Sequence, residues 1–382
     1  MANNLNELNE LIEKIIDEGN EITKINYGLF SNFEEINRGA FGTVRKATWG
    51  NKIIALKSLN IDYKKINTNM TNETQNDNYI RIKAFFNELQ ILADIENHEH
   101  PYIVQFHGIT KDPNNNQYNL ILQFAVDGNL REYLKREHLR LSWQDRLKFA
   151  QEIAEGLTFL HEKGIFHRDL HSKNILVHNQ RMMIADFGVS KHMDEVTMVK
   201  AGGMYGYLEP QCFVDQKYKC DKRSDIYSFG VILWEISSGK PPFCNFENQI
   251  AIIYQVSIGI REVPIENTPN NYVELYQCCW DKDPKVRPEI KVVLEILKKI
   301  QSPNIPELRR NELSSSTLSR VKNKDYAIGC WENIAPLFGS LDLYMTENAK
   351  FWGCYQLDYE EPIKKNGEKI FEIKDYEVFQ YL

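Results

Sequence analysis

The stretch 165-IFHRDLHSKNILV-177 sets two histidines, an arginine, an aspartate, a lysine and an asparagine between two apolar runs. Asp169 and Asn174 lie five residues apart in a loop that precedes a short apolar strand. Further on, 184-IADFGVS-190 puts Asp186 after another apolar run. If the two short strands pair as a hairpin, three oxygen-bearing side chains converge: Asp169, Asn174 and Asp186. A small set of oxygen ligands suits Mg²⁺, which keeps waters and phosphate oxygens in the rest of its shell. A charged surface loop explains any one of these residues, but not all of them in this order.

Two more segments supply cations and backbone amides. In 36-INRGAFGTV-44, Gly39 and Gly42 let backbone N–H groups approach a phosphate. Alone, that pattern describes a glycine-bearing hairpin equally well. The run 54-IALK-57 ends an apolar strand on Lys57, whose ammonium needs anions unless its stem snorkels to water. On the helix that follows, Glu88 shares a face with Phe85, Leu92 and Ile95. A carboxylate on a core-facing stripe calls for a partner, and Lys57 is the candidate.

The elements that must hold these residues fall into two halves. Residues 33–59 read as strands, 60–80 as a polar, Asn-rich loop, 81–95 as a helix and 103–124 as strands again. After 127-DGNL-130 the pattern becomes helical, over 143–163, 224–238, 247–258, 271–280 and 289–300. A crevice at the join, near 122–128, is the expected ligand site. Residues 1–29 form an N-terminal extension in which Leu5, Leu8, Ile12 and Ile15 predict an amphipathic helix that docks on the following domain. Residues 301–324 read as a polar linker. Residues 325–382 are an aromatic-rich extension, with a hairpin turn predicted at 365-KNGEK-369.

Bulk properties narrow the function. The chain has 382 residues, 42% hydrophobic and 26% charged, with a net charge of −7. That balance gives no support to a nucleic-acid or anionic-membrane partner, which would favour a basic face. Seven cysteines, an odd number without CxxC spacing, argue against a disulfide framework or zinc site and fit a reducing, cytoplasmic setting. No apolar run is long enough to predict a membrane segment.

Taken together, the chain resembles a eukaryotic protein kinase, most closely the tyrosine-kinase-like group, over residues 30–300. The resemblance rests on 39-GAFGTV-44, 54-IALK-57, Glu88, 100-HPYIVQFHG-108, 128-GNL-130, 167-HRDLHSKN-174, 186-DFG-188, 205-YGYLEPQ-211, 225-DIYSFG-230 and 279-CWDKDPKVRP-288. It implies an α+β, bilobal protein-kinase fold: a small β-rich N-lobe (30–123) with one main helix, and a larger, mostly α-helical C-lobe (128–300). It also implies ATP and Mg²⁺ as cofactors and a protein substrate. Ile36, Asn37, Gly39, Ala40, Phe41 and Gly42 would cover the nucleotide. Lys57, positioned by Glu88, would hold its phosphates, and Asn174 and Asp186 would bind the metal. Asp169 would accept or orient the proton of the substrate hydroxyl, with Lys173 beside it. Leu122 resembles the gatekeeper, and Gln123, Phe124 and Ala125 the hinge. Val44, Ala55 and Leu176 would sandwich the adenine. Leu92, Phe106, His167 and Phe187 resemble the regulatory hydrophobic column, anchored from Asp225. Ser190, Thr197 and Tyr205 are candidate activation-segment phosphosites, with Arg168 the expected partner of a phosphate on Thr197.

The sequence departs from the family pattern at several points. Asn37 replaces the first glycine of the loop. Gln211 stands where the Glu of Ala-Pro-Glu belongs, so Arg287 is expected to lose a charge-assisted partner and the large half some stability. His171 and Met204 occupy the positions where Ser/Thr kinases carry Lys and Thr, and Lys173 sits where tyrosine kinases often carry Arg. The whole segment 203-GMYGYLEP-210 resembles receptor-like Ser/Thr kinases, which favours a Ser/Thr kinase. A tyrosine or dual-specificity kinase, and a nucleotide-binding scaffold without catalysis, stay open as alternatives. Residues 325–382 are open to a partner-binding role.

Overall fold

The computed structural model describes residues 22–39, 42–59, 72–96, 99–188, 204–215, 218–246 and 248–300, with Glu13, Lys14 and the backbone of four short strands between 341 and 370. The chain divides into two units, residues 1–304 and 305–382.

The first unit opens with five antiparallel strands: β1 (Phe30–Arg38), β2 (Gly42–Trp49), β3 (Lys52–Leu59), β4 (Phe106–Lys111) and β5 (Tyr118–Gln123). Their order is β1-β2-β3-β5-β4. Alternation along β3 decides where its lysine points. Ile54 and Leu56 join Phe30, Ala47 and Ile121 in a small core on one face. Ala55 and Leu59 face the main core, which includes Phe85, Leu89 and Leu92 of helix α1 (Asn72–Glu96). Lys57 shares the parity of Ala55 and Leu59, so the sheet aims it at α1. Helix α1 begins within the stretch 60–80 that reads as a loop. Its opening residues NETQNDNYI have no apolar stripe, so periodicity gives no sign of the extra turns.

Strand β4 is an edge, and the N-terminal extension runs alongside it. Lys24 bridges Ile109 in parallel sense. Ile109 N–H donates to Thr23 O at 2.9 Å, and Ile25 N–H donates to Ile109 O at 2.8 Å. Ile22 and Ile25 are buried. Glu13 accepts from the Tyr118 hydroxyl and pairs with Lys24 at 2.7 Å. Apart from Glu13 and Lys14, the predicted helix at 5–16 lies outside the described residues. Close approach depends on Gly108: its φ is +120°, and a Cβ there would sit 2.1 Å from Thr23 O.

The rest of the unit is mainly helical: α2 (Leu130–Glu137), α3 (Trp143–Glu162), α4 (Gln211–Val214), α5 (Lys222–Ser238), α6 (Gln249–Ser257), α7 (Asn270–Cys279) and α8 (Ile290–Lys299). A capping box starts α3: Ser142 Oγ accepts from Asp145 N–H while Asp145 accepts from Ser142 N–H. Helix α5 is buried from Ser224 to Ser238, which fits a helix that is apolar almost all round. Helix α2 escapes sequence reading because its buried face is three residues, Leu130, Tyr133 and Leu134. Between α3 and α4, strands β6 (Ile175–His178) and β7 (Arg181–Ile184) form a hairpin. Asn179 and Gln180 turn it with φ of 52° and 59°, the paired positive angles of a two-residue hairpin loop.

In the second unit, β8 (Leu341–Met345) pairs with β9 (Phe351–Tyr355) and β10 (Ile363–Lys365) with β11 (Glu368–Ile370), both antiparallel. Lys365 opposes Glu368, so a hairpin does fall within 365–369. Among the described residues, no helix is long and apolar enough to cross a membrane.

Replacing Gly108 by Ala should lower stability by about 2–3 kcal/mol, through backbone strain and displacement of the 22–25 segment. Gly50, with φ of +59° and open space around it, should cost only about 1 kcal/mol as Ala. Urea unfolding of the two variants checks this, and equal losses would remove the close-approach explanation.

Candidate active site

The site is built where β3, α1, the β6–β7 hairpin and the loop before it meet. Lys57 Nζ donates to both oxygens of Glu88, at 2.8 and 2.6 Å, and pairs with Asp186 Oδ1 at 3.0 Å. Burial alone would lower the Lys57 pKa. The carboxylates of Asp186 and Glu88 outweigh it and hold the ammonium protonated well above its usual range. Burial pushes Glu88 up, to about 7, with Lys57 opposing. Burial acts the same way on Asp186, but there the Lys57 charge prevails and the pKa is lowered. One ammonium is thus shared by two carboxylates, and Asp186 holds its charge more firmly.

Asp186 is fixed from both sides. Ile184 N–H donates to Tyr102 O and Val104 N–H to Ile184 O, each at 2.9 Å, which locks β7 onto the segment after α1. Ala185 N–H donates to Asn174 O at 2.9 Å, which brings the residue before Asp186 up to Asn174. Asn87 on α1 donates to the carbonyls of Phe187 and Gly188. Asp186 sits at φ 67°, unusual for a non-glycine residue, and these bonds hold it there.

The loop 167–174 hangs from α5. Asp225, fully buried at the start of α5, accepts from His167 N–H at 2.9 Å and Arg168 N–H at 2.7 Å and bonds His161 Nε2 at 2.8 Å. His167 receives Asp169 N–H on Nδ1 and faces Ala185 O with Nε2, so it is neutral with its proton on Nε2. Burial lowers its pKa, in keeping with that form. Its ring lies 5.5 Å from that of Phe187. Leu92, Phe106, His167 and Phe187 are all buried. Asn174 Nδ2 donates to Asp169 O at 2.9 Å and reaches Asp169 Oδ2 at 3.4 Å. Burial, then repulsion from Asp186, pushes the Asp169 carboxyl up to about 7. His171 accepts Asn174 N–H on Nδ1 and places Nε2 3.7 Å from Asp169 Oδ2. Burial, then the nearby His167, lowers it to about 3, so the imidazole is neutral.

Of the residues singled out in the sequence, the structure brings Lys57, Glu88, Asp169, Asn174 and Asp186 into one constellation. Lys173 is exposed and bonds none of them among the described residues. Ile36 and Asn37 lie on exposed β1, with Asn37 opposite Val44. Gly39 N–H donates to Gly42 O and closes the turn. Val44 pairs with Lys57, and Ala55 pairs with Leu122 at the end of β5. Gln123, Phe124 and Ala125 lead out of β5, and Leu176 bridges Asn129 just beyond them. Ala40, Phe41, Ser190 and Thr197 lie outside the described residues. Tyr205 is half-buried, with its ring 6.3 Å from Phe213.

One expectation is corrected. Arg287 keeps a charge-assisted partner: its Nη1 lies 2.5 Å from Glu209 Oε2, both side chains fully buried. Glu209 stands two residues before Gln211, and its other oxygen accepts from Ser224 Oγ. No bond joins Gln211 to Arg287 among the described residues. The carboxylate has moved along the chain, and the ion pair persists.

A second buried network escapes sequence reading. Glu235 on α5 accepts from Ser172 Oγ at 2.9 Å and from the Tyr207 hydroxyl, and pairs with Arg131 of α2 at 3.3 Å. Arg131 also donates to the Tyr207 hydroxyl. It joins the loop 167–174 to the segment 204–210. The signal was present: like Glu88, Glu235 is a carboxylate in an apolar run, ILWEI.

Comparison with known proteins agrees with this architecture. The profile of the family described as "Protein tyrosine and serine/threonine kinase" matches residues 30–297. The chain therefore belongs to the protein kinase family. It is 33% identical over 284 residues to serine/threonine-protein kinase VIK of Arabidopsis thaliana, covering 71% of this chain and 60% of that one. It is 30% identical over 286 residues to mitogen-activated protein kinase kinase kinase 10 of Xenopus laevis, covering 70% and 26%. It is 28% identical over 306 residues to serine/threonine/tyrosine-protein kinase HT1 of Arabidopsis thaliana, covering 79% and 74%. The chain thus spans only part of each relative.

Glu209→Gln should destabilise the fold by about 3–5 kcal/mol by leaving Arg287 buried without its counter-charge. Gln211→Ala should change stability by no more than about 1 kcal/mol. Denaturant titration separates the two, and the reverse ranking would restore Gln211 as the partner.

Proposed function

We propose that the protein transfers the γ-phosphoryl group of ATP to a serine or threonine hydroxyl of a protein substrate. The observation that carries this reading is the shared bonding of Lys57 to Glu88 and Asp186, with Asp169 and Asn174 alongside. Phosphoryl transfer asks mainly for positioning and charge neutralisation. Lys57 places its ammonium against the phosphates while Glu88 fixes its position. The turn at Gly39 and Gly42 covers them with backbone amides. Asp169 takes or orients the hydroxyl proton, and its raised pKa suits a group that must exchange one. His171, neutral beside it, helps to set the loop geometry through Asn174 N–H.

Asp186 and Asn174 offer oxygen ligands, which suit a hard cation, and the Asp186 side chain is 38% exposed with Oδ1 on Lys57. Asn174 and Asp186 would hold Mg²⁺, which supplies charge neutralisation to the bound nucleotide. The Ser/Thr preference is supported by relatives described as serine/threonine kinases. A cytoplasmic setting is proposed on the cysteine pattern. Arg168 has a buried Nε with no partner among the described residues, which supports its reading as the receiver of a phosphate on Thr197.

The scaffold alternative loses one of its motives, because Glu209 replaces Gln211 as the partner of Arg287. Asp169→Asn should reduce phosphoryl transfer about 10²–10⁴-fold while ATP binding persists. If wild type and variant are equally silent and both bind ATP, the scaffold reading prevails. Phosphoamino-acid analysis on a mixed peptide library should give phosphoserine and phosphothreonine. Predominant phosphotyrosine would overturn the hydroxyl preference. Mass spectrometry of active protein should find phosphate on Thr197, and an unmodified segment would remove the pairing of that phosphate with Arg168.

A further inference from the structure

Two cysteines outside the catalytic constellation come together at the end of the activation segment. Cys212 lies in α4, and Cys220 directly precedes Asp221, the N-cap of α5. Their sulfurs are 3.0 Å apart. Cys212 is half-buried and Cys220 buried. Glu209 completes a cluster in which all three ligand atoms lie within 4.8 Å of one another.

Such a cluster suggests a thiophilic metal or a sulfur–sulfur bond, and the geometry separates them. Two thiolates on one tetrahedral ion, with bonds of about 2.3 Å, stand about 3.8 Å apart. The sulfurs here are closer than that. Glu209 is also committed elsewhere, to Arg287, Ser224 and the Tyr218 hydroxyl. A ligand that must leave a buried guanidinium is a poor one for a cation.

We propose that Cys212 and Cys220 are a reversible redox pair that closes into a disulfide under peroxide and fastens α4 to the base of α5. Cys212 reacts first, because it is the more exposed. Its sulfur attacks hydrogen peroxide, the O–O bond breaks, and a sulfenic acid and one water result. The Cys220 sulfur then attacks the Cys212 sulfur, the S–S bond forms, the S–O bond breaks, and a second water leaves. Two thiols lose two electrons and two protons, and one peroxide becomes two waters. Cellular thiols reverse the bond by exchange. In a reducing compartment such pairs act transiently, as sensors.

The closed loop runs from Cys212 to Cys220. One end follows the Glu209–Arg287 anchor, and the other opens the helix whose Asp225 holds the loop 167–174. The bond therefore ties the end of the substrate-facing segment to the element that positions Asp169. It needs only a small approach of two sulfurs already in contact.

The test uses the full reduced chain treated with hydrogen peroxide, capped with N-ethylmaleimide and mapped without reductant. The expected result is one linked peptide pair, 212 to 220, with loss of two hydrogens from the intact mass. The thermal midpoint should rise roughly 4–8 °C on oxidation and fall back with dithiothreitol. Cys212→Ser should show neither change, and the wild-type map stands even if that variant folds poorly. Linkage of Cys212 to Cys330 or Cys354, or capture of both 212 and 220 by maleimide after exposed Cys244 and Cys278 have oxidised, would overturn the pair. So would retention of one Zn²⁺ per chain through gel filtration with both thiols protected. Both readouts are free of any catalytic assay.

Discussion

A charge taken out of water must find a partner, and this constraint shapes the first unit. Lys57 is buried, and three bonds to two carboxylates keep it there. Those bonds fix more than a side chain. Glu88 sets the rotation of α1, and Asp186 sets the path of the chain after β7. The alternation of β3 aims the ammonium at both. The fold can therefore be read outward from one nitrogen: the sheet supplies it, the helix steadies it, and the hairpin brings the second carboxylate.

The same constraint appears twice more in the large half. Arg287 and Glu209 pair in full burial, and Glu235 gathers Arg131, Ser172 and Tyr207. Each joins the segment 204–210 to a helix or loop beneath it. Asp225 does the corresponding work for the loop 167–174 by accepting two backbone N–H groups. The loop 167–174 and the segment 204–210 are thus fastened by buried polar groups, where apolar packing alone would leave orientation loosely defined.

Much of this was legible in the sequence. The strand-rich half, the helical runs and the convergence of Asp169, Asn174 and Asp186 follow from period and spacing. Glu88 stands out because a carboxylate on an apolar stripe demands an explanation, and the same rule applied to ILWEI singles out Glu235. Other features had no local signal. The early turns of α1 lack an apolar face, and α2 has only three buried residues. The transfer of the Arg287 partner from position 211 to 209 has no local signal, because the family pattern points to position 211 and only the tertiary structure brings Glu209 to Arg287. Arg131 and Tyr207 are ordinary surface-compatible residues until the tertiary structure places them around Glu235.

Residues 22–25 pair with β4 through a single bridge at Lys24. An open sheet edge is a template for any extended peptide, whether a recognition partner or another copy of the chain. By lying along β4, with Gly108 making room and Glu13 clamped by Tyr118 and Lys24, the extension fills that template from within. The small lobe is thereby insulated on this side from strand addition, and the sheet's remaining edge is the exposed strand β1.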